Sequence, residues 1–119
     1  MELNEYQKRA MTTCTESSYN FAYMMLNLVG EVGEFAGKVA KWIRKEKLNM
    51  SDNELTTPFA KFTSEDEVEL RKEAGDILWQ LSGLCSVMGW SLEDVAQENL
   101  DKLADRQKRN VIVGEGDNR

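Results

Sequence analysis

The chain has 119 residues, 41% of them hydrophobic, and a formal net charge of −6. That length and apolar fraction make one domain with a modest core, and the acidic balance argues against a nucleic-acid polymer or an anionic membrane as partner. Histidine is absent, which excludes His-bearing zinc sites, Ser-His-Asp and Cys-His catalysis and the Glu-x-x-His motif of di-iron bundles, and leaves a carboxylate-held metal as the route to hydrolysis at neutral pH.

One proline and long 3.6-residue periodicities predict an all-α fold, a helical bundle of about four helices. The first helix is expected from Asn4, acting as cap with Gln7 three residues on, to about Thr13, with Tyr6 and Met11 as packing residues. Thr15, Ser17 and Ser18 form a polar break that caps a long second helix, about Ser18 to Lys45. Its basic end, Lys41, Arg44, Lys45 and Lys47, suits the negative pole of the helix dipole. From Leu48 to Thr63 the periodicity breaks into a loop long for a helix connection, whose Phe59–Phe62 tip either moves freely, packs down or covers a pocket. Ser64 with Glu67 reads as a capping box opening the third helix, and Gly89 as its left-handed stop. Ser91 opens a fourth helix, with Trp90 and Val95 as a hydrophobic staple, running to about Arg109. Residues 1–110 then form the domain and 111–119 a tail, disordered by default from Gly114 on.

Cys14 and Cys85 lack CxxC spacing and read as small apolar packers. Without a signal peptide or a membrane-length apolar run, a cytoplasmic location is expected.

The stretches that carry chemistry are Gly30-Glu31-Val32-Gly33-Glu34 and Glu73-Ala74-Gly75-Asp76. Each places two carboxylates about one helical turn apart on one face. On a wheel of about 100° per residue, the acids of the second helix border an apolar sector of Phe21, Met24, Leu28, Val32, Phe35, Val39 and Trp42. A strip of Gly30, Gly33, Gly37, Ala36 and Ala40 on their other side invites close backbone approach. The third helix repeats the plan, with Leu70, Ala74, Ile77, Leu81, Leu84, Cys85 and Met88 beside Glu73 and Asp76, and Gly75 and Gly83 on its far side. If the two apolar faces pack, the acidic rows meet. Four carboxylates that close need cations or protons, and hard oxygen donors suit Mg²⁺ or Mn²⁺. Glu pairs at i and i+3 are also ordinary on solvated helices.

Other candidates carry the same double reading. Lys38 and Lys41, one and two turns beyond Glu34, either reach substrate phosphates or form a solvated terminus. Asn99, Lys102 and Arg106, at i, i+3 and i+7, are either a phosphate-binding row or a solvated face. Trp42 and Trp79 either stack on a base or pack in the core.

Taken in order, Gly30-Glu31-Val32-Gly33-Glu34, Glu73-Ala74-Gly75-Asp76-Ile77-Leu78-Trp79, Gly89-Trp90-Ser91-Leu92-Glu93-Asp94-Val95 and Asn99-Leu100-Asp101-Lys102-Leu103 with Arg106 resemble the MazG-like nucleotide pyrophosphohydrolases of the all-α NTP pyrophosphatase superfamily. The opening Leu3-Asn4-Glu5-Tyr6-Gln7 resembles the short bacterial and phage type. The resemblance implies a helical bundle forming homodimers or homotetramers, which cleaves nucleoside triphosphates to monophosphate and pyrophosphate. It implies that Glu31, Glu34, Glu73 and Asp76 bind Mg²⁺, with Lys41, Asn99, Lys102 and Arg106 facing the phosphates or supporting the site. Glu31 or Glu34 would be the general base. Ala40, Gln80 and Asn27 depart from the family, which more often has lysine, an aromatic and glycine there.

Two other readings remain open. A dUTPase-like or phosphoribosyl-ATP-type hydrolase keeps the superfamily and changes the substrate. A helical oligomerisation or interaction module would use the acids only to hold a structural cation or solvate a groove.

Overall fold

In the computed structural model the described residues are 1–45, 63–114 and 116. They form four α-helices and a short 3₁₀ turn: α1 Leu3–Met11, the turn Glu16–Ser18, α2 Phe21–Arg44, α3 Ser64–Val87 and α4 Leu92–Lys108. The fold is all-α, as the periodicity predicts. The expected 48–63 loop lies, apart from Thr63, outside the described residues, as does most of the tail from Gly114 on.

The helix ends follow local hydrogen-bond chemistry, with some shifts from the expected caps. Asn20, not Ser18, caps α2, its side-chain oxygen accepting from the Tyr23 amide at 2.8 Å. The capping box of α3 sits one residue earlier than Ser64/Glu67. Thr63 Oγ1 accepts from the Asp66 amide at 3.1 Å, and Asp66 Oδ2 accepts from the Thr63 amide at 3.0 Å. At the far end of α3, Gly89 takes φ +74°, and the Trp90 amide donates back to the Cys85 carbonyl at 2.8 Å, closing a Schellman turn. Asn110 ends α4 in the same way with φ 57°, the Val111 amide donating to the Arg106 carbonyl.

Asn4 does not cap α1; the N-cap is Glu2, which makes no side-chain bond. Asn4 and Gln7 instead tie α1 to the α3–α4 corner. Asn4 Oδ1 accepts from Ser91 Oγ at 2.6 Å and from the Glu93 amide at 3.2 Å. Gln7 accepts from the Leu92 amide at 2.8 Å and donates to Ser86 Oγ and the Trp90 carbonyl. Two side chains of α1 thereby serve backbone amides that the start of α4 leaves unpaired.

The main packing is α2 against α3, with α1 laid on α3 and α4 leaning on both α1 and α3. Met24, Trp42, Cys85 and Leu92 are the buried apolar residues among those described. The expected apolar stripe of α2 is only partly covered: Phe21 and Val32 are exposed, as are Leu26 (75%) and Val29 (68%) beside them. The small-residue strip also behaves differently from expectation. A Cβ built on Gly33 or Gly37 meets nothing within 4 Å, so no backbone approaches closely there among the described residues. The close approach occurs at Gly83, against Met24. No helix among the described residues is long and apolar enough to cross a membrane.

Candidate metal centre

The antiparallel packing of α2 on α3 has one register, marked by three contacts. Lys38 lies 3.7 Å from Glu69 and 3.5 Å from Glu73; Glu31 meets Glu73 and Asp76; Met24 meets Gly83. In that register Glu31, Glu73 and Asp76 each bring one carboxylate oxygen within 4.8 Å of the others. The acidic rows meet at the seam, as their places on the two helix wheels require.

Glu34 stands outside this group of three and is exposed, its charge acting on Glu31 from one helical turn away. Burial, then the charges of Glu34, Asp76 and Glu73, push the Glu31 carboxyl above the ordinary carboxylate range. Among the described residues, Glu31 Oε2 and Glu73 Oε2 are buried oxygens with no hydrogen-bond partner. Acceptor-only oxygens left so are costly, and a divalent cation is the partner that satisfies several at once. The donor set is all carboxylate oxygen, without nitrogen or sulfur, and fits Mg²⁺ or Mn²⁺.

The other candidate residues are distributed less simply. Lys38 reaches across to α3 and neutralises part of Glu73. Lys41 is exposed on the last turn of α2. Trp79 is half-buried against α1, its indole N–H donating to the Ala10 carbonyl at 3.2 Å and to Thr13 Oγ1 at 3.0 Å. Asn99, Lys102 and Arg106 lie on α4, outside the acid cluster, and their row runs from exposed through half-buried to fully buried, with Arg106 at 4%. That gradient differs from a solvated face. Lys102 lines a cavity of about 790 Å³ at the α3–α4 corner with Trp90, Asp94, Val95 and Glu98.

Tyr6, expected from its place in the sequence to be a packing residue, belongs to the surroundings of the cluster. Partial burial, then the charge of Asp76, raise its phenol above the usual tyrosine value. Only the laying of α1 on α3 reveals this, because a tyrosine on a short amphipathic helix carries no mark of what it faces.

Comparison with known proteins agrees with the geometry. The family model of the MazG nucleotide pyrophosphohydrolase domain matches residues 20–111. The chain is also 36% identical over 104 residues to the Gene 37 protein of Mycobacterium phage L5, covering 87% of this chain and 81% of that protein. No solved structure matches significantly. With the match spanning α2, α3 and α4 and both acidic motifs, the chain belongs to the MazG nucleotide pyrophosphohydrolase family.

Proposed function

We propose that the chain is a Mg²⁺-dependent pyrophosphohydrolase that converts ribo- or deoxyribonucleoside triphosphates to the monophosphate and pyrophosphate, by attack of water on the α phosphorus. The observation that carries this reading is the convergence of Glu31, Glu73 and Asp76 within 4.8 Å across the α2–α3 seam. Glu31, Glu34, Glu73 and Asp76 would hold the cation, which would supply positive charge to the polyphosphate and acidify the attacking water.

Glu31, whose carboxyl is raised above the ordinary range by burial and then by the charge of Glu34, or Glu34 itself, would receive the proton that the water loses. Lys38 and Lys41 follow Glu34 on the same side of α2 and would face the leaving pyrophosphate, each as a flexible point charge. For Lys38 this means exchanging its contacts to Glu69 and Glu73 for phosphate oxygens. The exposed apolar side chains Phe21, Leu26, Val29 and Val32 support assembly as a homodimer or homotetramer through α2. The free cysteines Cys14 and Cys85 suit a reducing, cytoplasmic setting.

The decisive experiment is pyrophosphate release from a panel of ribo- and deoxyribonucleoside triphosphates, in Mg²⁺ and in EDTA, with Glu73→Gln as control. Metal-dependent release of monophosphate and pyrophosphate, lost in the control, is expected. No release from any nucleotide by folded protein would overturn the reading in favour of a cation-binding interaction module.

A further inference from the structure

Gln80 lies on α3 four residues after Asp76 and seven after Glu73, so the three side chains share one helix face over two turns. It is 3% exposed, and among the described residues its Oε1 has no hydrogen-bond partner. The α2–α3 register, fixed by Lys38 on Glu73, Glu31 on Asp76 and Met24 on Gly83, places Asn27 opposite Gln80, one turn from the acids. Asn27 does not satisfy that oxygen; its amide nitrogen donates to the Tyr23 hydroxyl at 3.3 Å.

Three buried oxygens along this seam therefore share one condition. Glu31 Oε2, Glu73 Oε2 and Gln80 Oε1 are all acceptors without a donor. A packing role alone would be better served by leucine or methionine, which fill similar volume and leave no amide to desolvate. A neutral carbonyl oxygen is, in contrast, a hard donor that adds to a cation's surroundings without adding charge to a site already crowded with carboxylates.

We infer that the side-chain carbonyl of Gln80 belongs to the oxygen donor set for the cation held by Glu31, Glu73 and Asp76, reaching it directly or through one ordered water. Gln80 thus supplies an oxygen to the cation's surroundings, and the inference rests on the reading above that these acids bind one.

The test is Mn²⁺ binding to the full chain, without nucleotide, followed by calorimetry and by the electron paramagnetic resonance signal of bound Mn²⁺. Wild type, Gln80→Met, Gln80→Glu and Glu73→Gln are compared. Gln80→Met is expected to bind Mn²⁺ about 10- to 100-fold more weakly, with an altered resonance signal, while Gln80→Glu, which keeps an oxygen at that place, stays within a few-fold of wild type. In EDTA the Tm of Gln80→Met should equal or exceed that of wild type, separating lost affinity from lost folding. Gln80→Leu provides the same comparison with a different shape if the methionine variant does not fold. Equal Mn²⁺ affinity in folded Gln80→Met overturns the inference. Failure of wild type itself to bind Mn²⁺ overturns the cation reading and this inference together.

Discussion

The thioether of Met24, fully buried on α2, occupies the space where a Cβ on Gly83 of α3 would stand. This contact brings the two helices together on the N-terminal side of Glu31, and the acid cluster lies two turns further along the same seam. Gly83→Ala sets two effects against each other. Alanine gains about 1 kcal/mol of helix propensity over glycine, whereas overpacking a filled core costs about 1–3 kcal/mol. The steric cost should win, because Met24 is enclosed, and Tm should fall by several degrees. Gly75→Ala supplies the contrast: nothing lies within 4 Å of its Cβ, so in EDTA that variant should gain Tm. Thermal denaturation of both variants checks the pair, and a rise in both would refute the role given to Met24.

Glu31 makes a pH prediction. Its pKa in the folded protein is raised, above all by burial and next by Glu34, so its charged form opposes folding. Its contribution to stability is complete below the ordinary carboxylate pKa and is lost as pH rises through the elevated folded value. Without divalent metal, Glu31→Gln should therefore be more stable than wild type at pH 7, and the difference should vanish as the medium is acidified. With Mg²⁺ present the order should reverse, because only the wild type gains from binding the cation. Paired melting curves in EDTA and in Mg²⁺ across pH measure both signs.

Lys38 would compete with a bound cation for Glu73. The lysine amine is 3.5 Å from Glu73 Oε1, close enough to repel a divalent ion held by the same carboxylate. Lys38→Met should bind Mn²⁺ several-fold more tightly, consistent with like-charge repulsion of about 1 kcal/mol in a wet site. If Lys38 also faces substrate, its KM for nucleotide should rise in the same variant. Calorimetry with Mn²⁺ alone, then steady-state kinetics, separates the two roles.

Gln7 holds the α3–α4 corner through three hydrogen bonds, to the Leu92 amide, Ser86 Oγ and the Trp90 carbonyl. Removing them strands a helix-start amide, at a cost of about 1–3 kcal/mol. Gln7→Ala should lower Tm and speed hydrogen exchange at the first turn of α4 while leaving Mn²⁺ affinity intact. Unchanged exchange there would show that the corner is held by other contacts.

Leu26 and Val29 are the most exposed large apolar side chains of α2. Leu26→Asp should shift the chain toward monomer in light scattering without loss of helical circular dichroism. A wild type that is already monomeric at working concentration would refute assembly through α2.

How these elements divide between sequence and structure follows from the range of the forces involved. The helices, the glycine stop at Gly89, the Ser91 start and the facing of Glu31 toward Glu73 and Asp76 were legible because they depend on local spacing: 3.6 residues per turn decides which side chains share a face, and turn chemistry decides where a face ends. The shift of the α3 capping box to Thr63 and Asp66 is a one-residue ambiguity among neighbouring acids that only atomic geometry resolves. Asn4 and Gln7 read as a local cap, because sequence records proximity along the chain, yet their partners lie more than 80 residues away. The same holds for Lys38 on Glu73, for Trp79 on the end of α1 and for Met24 on Gly83. The helices and their acidic faces thus follow from spacing along the chain. The tertiary structure alone decided the register between α2 and α3, because a helix face is a stripe along its whole length and only interlocking side chains fix where two stripes meet.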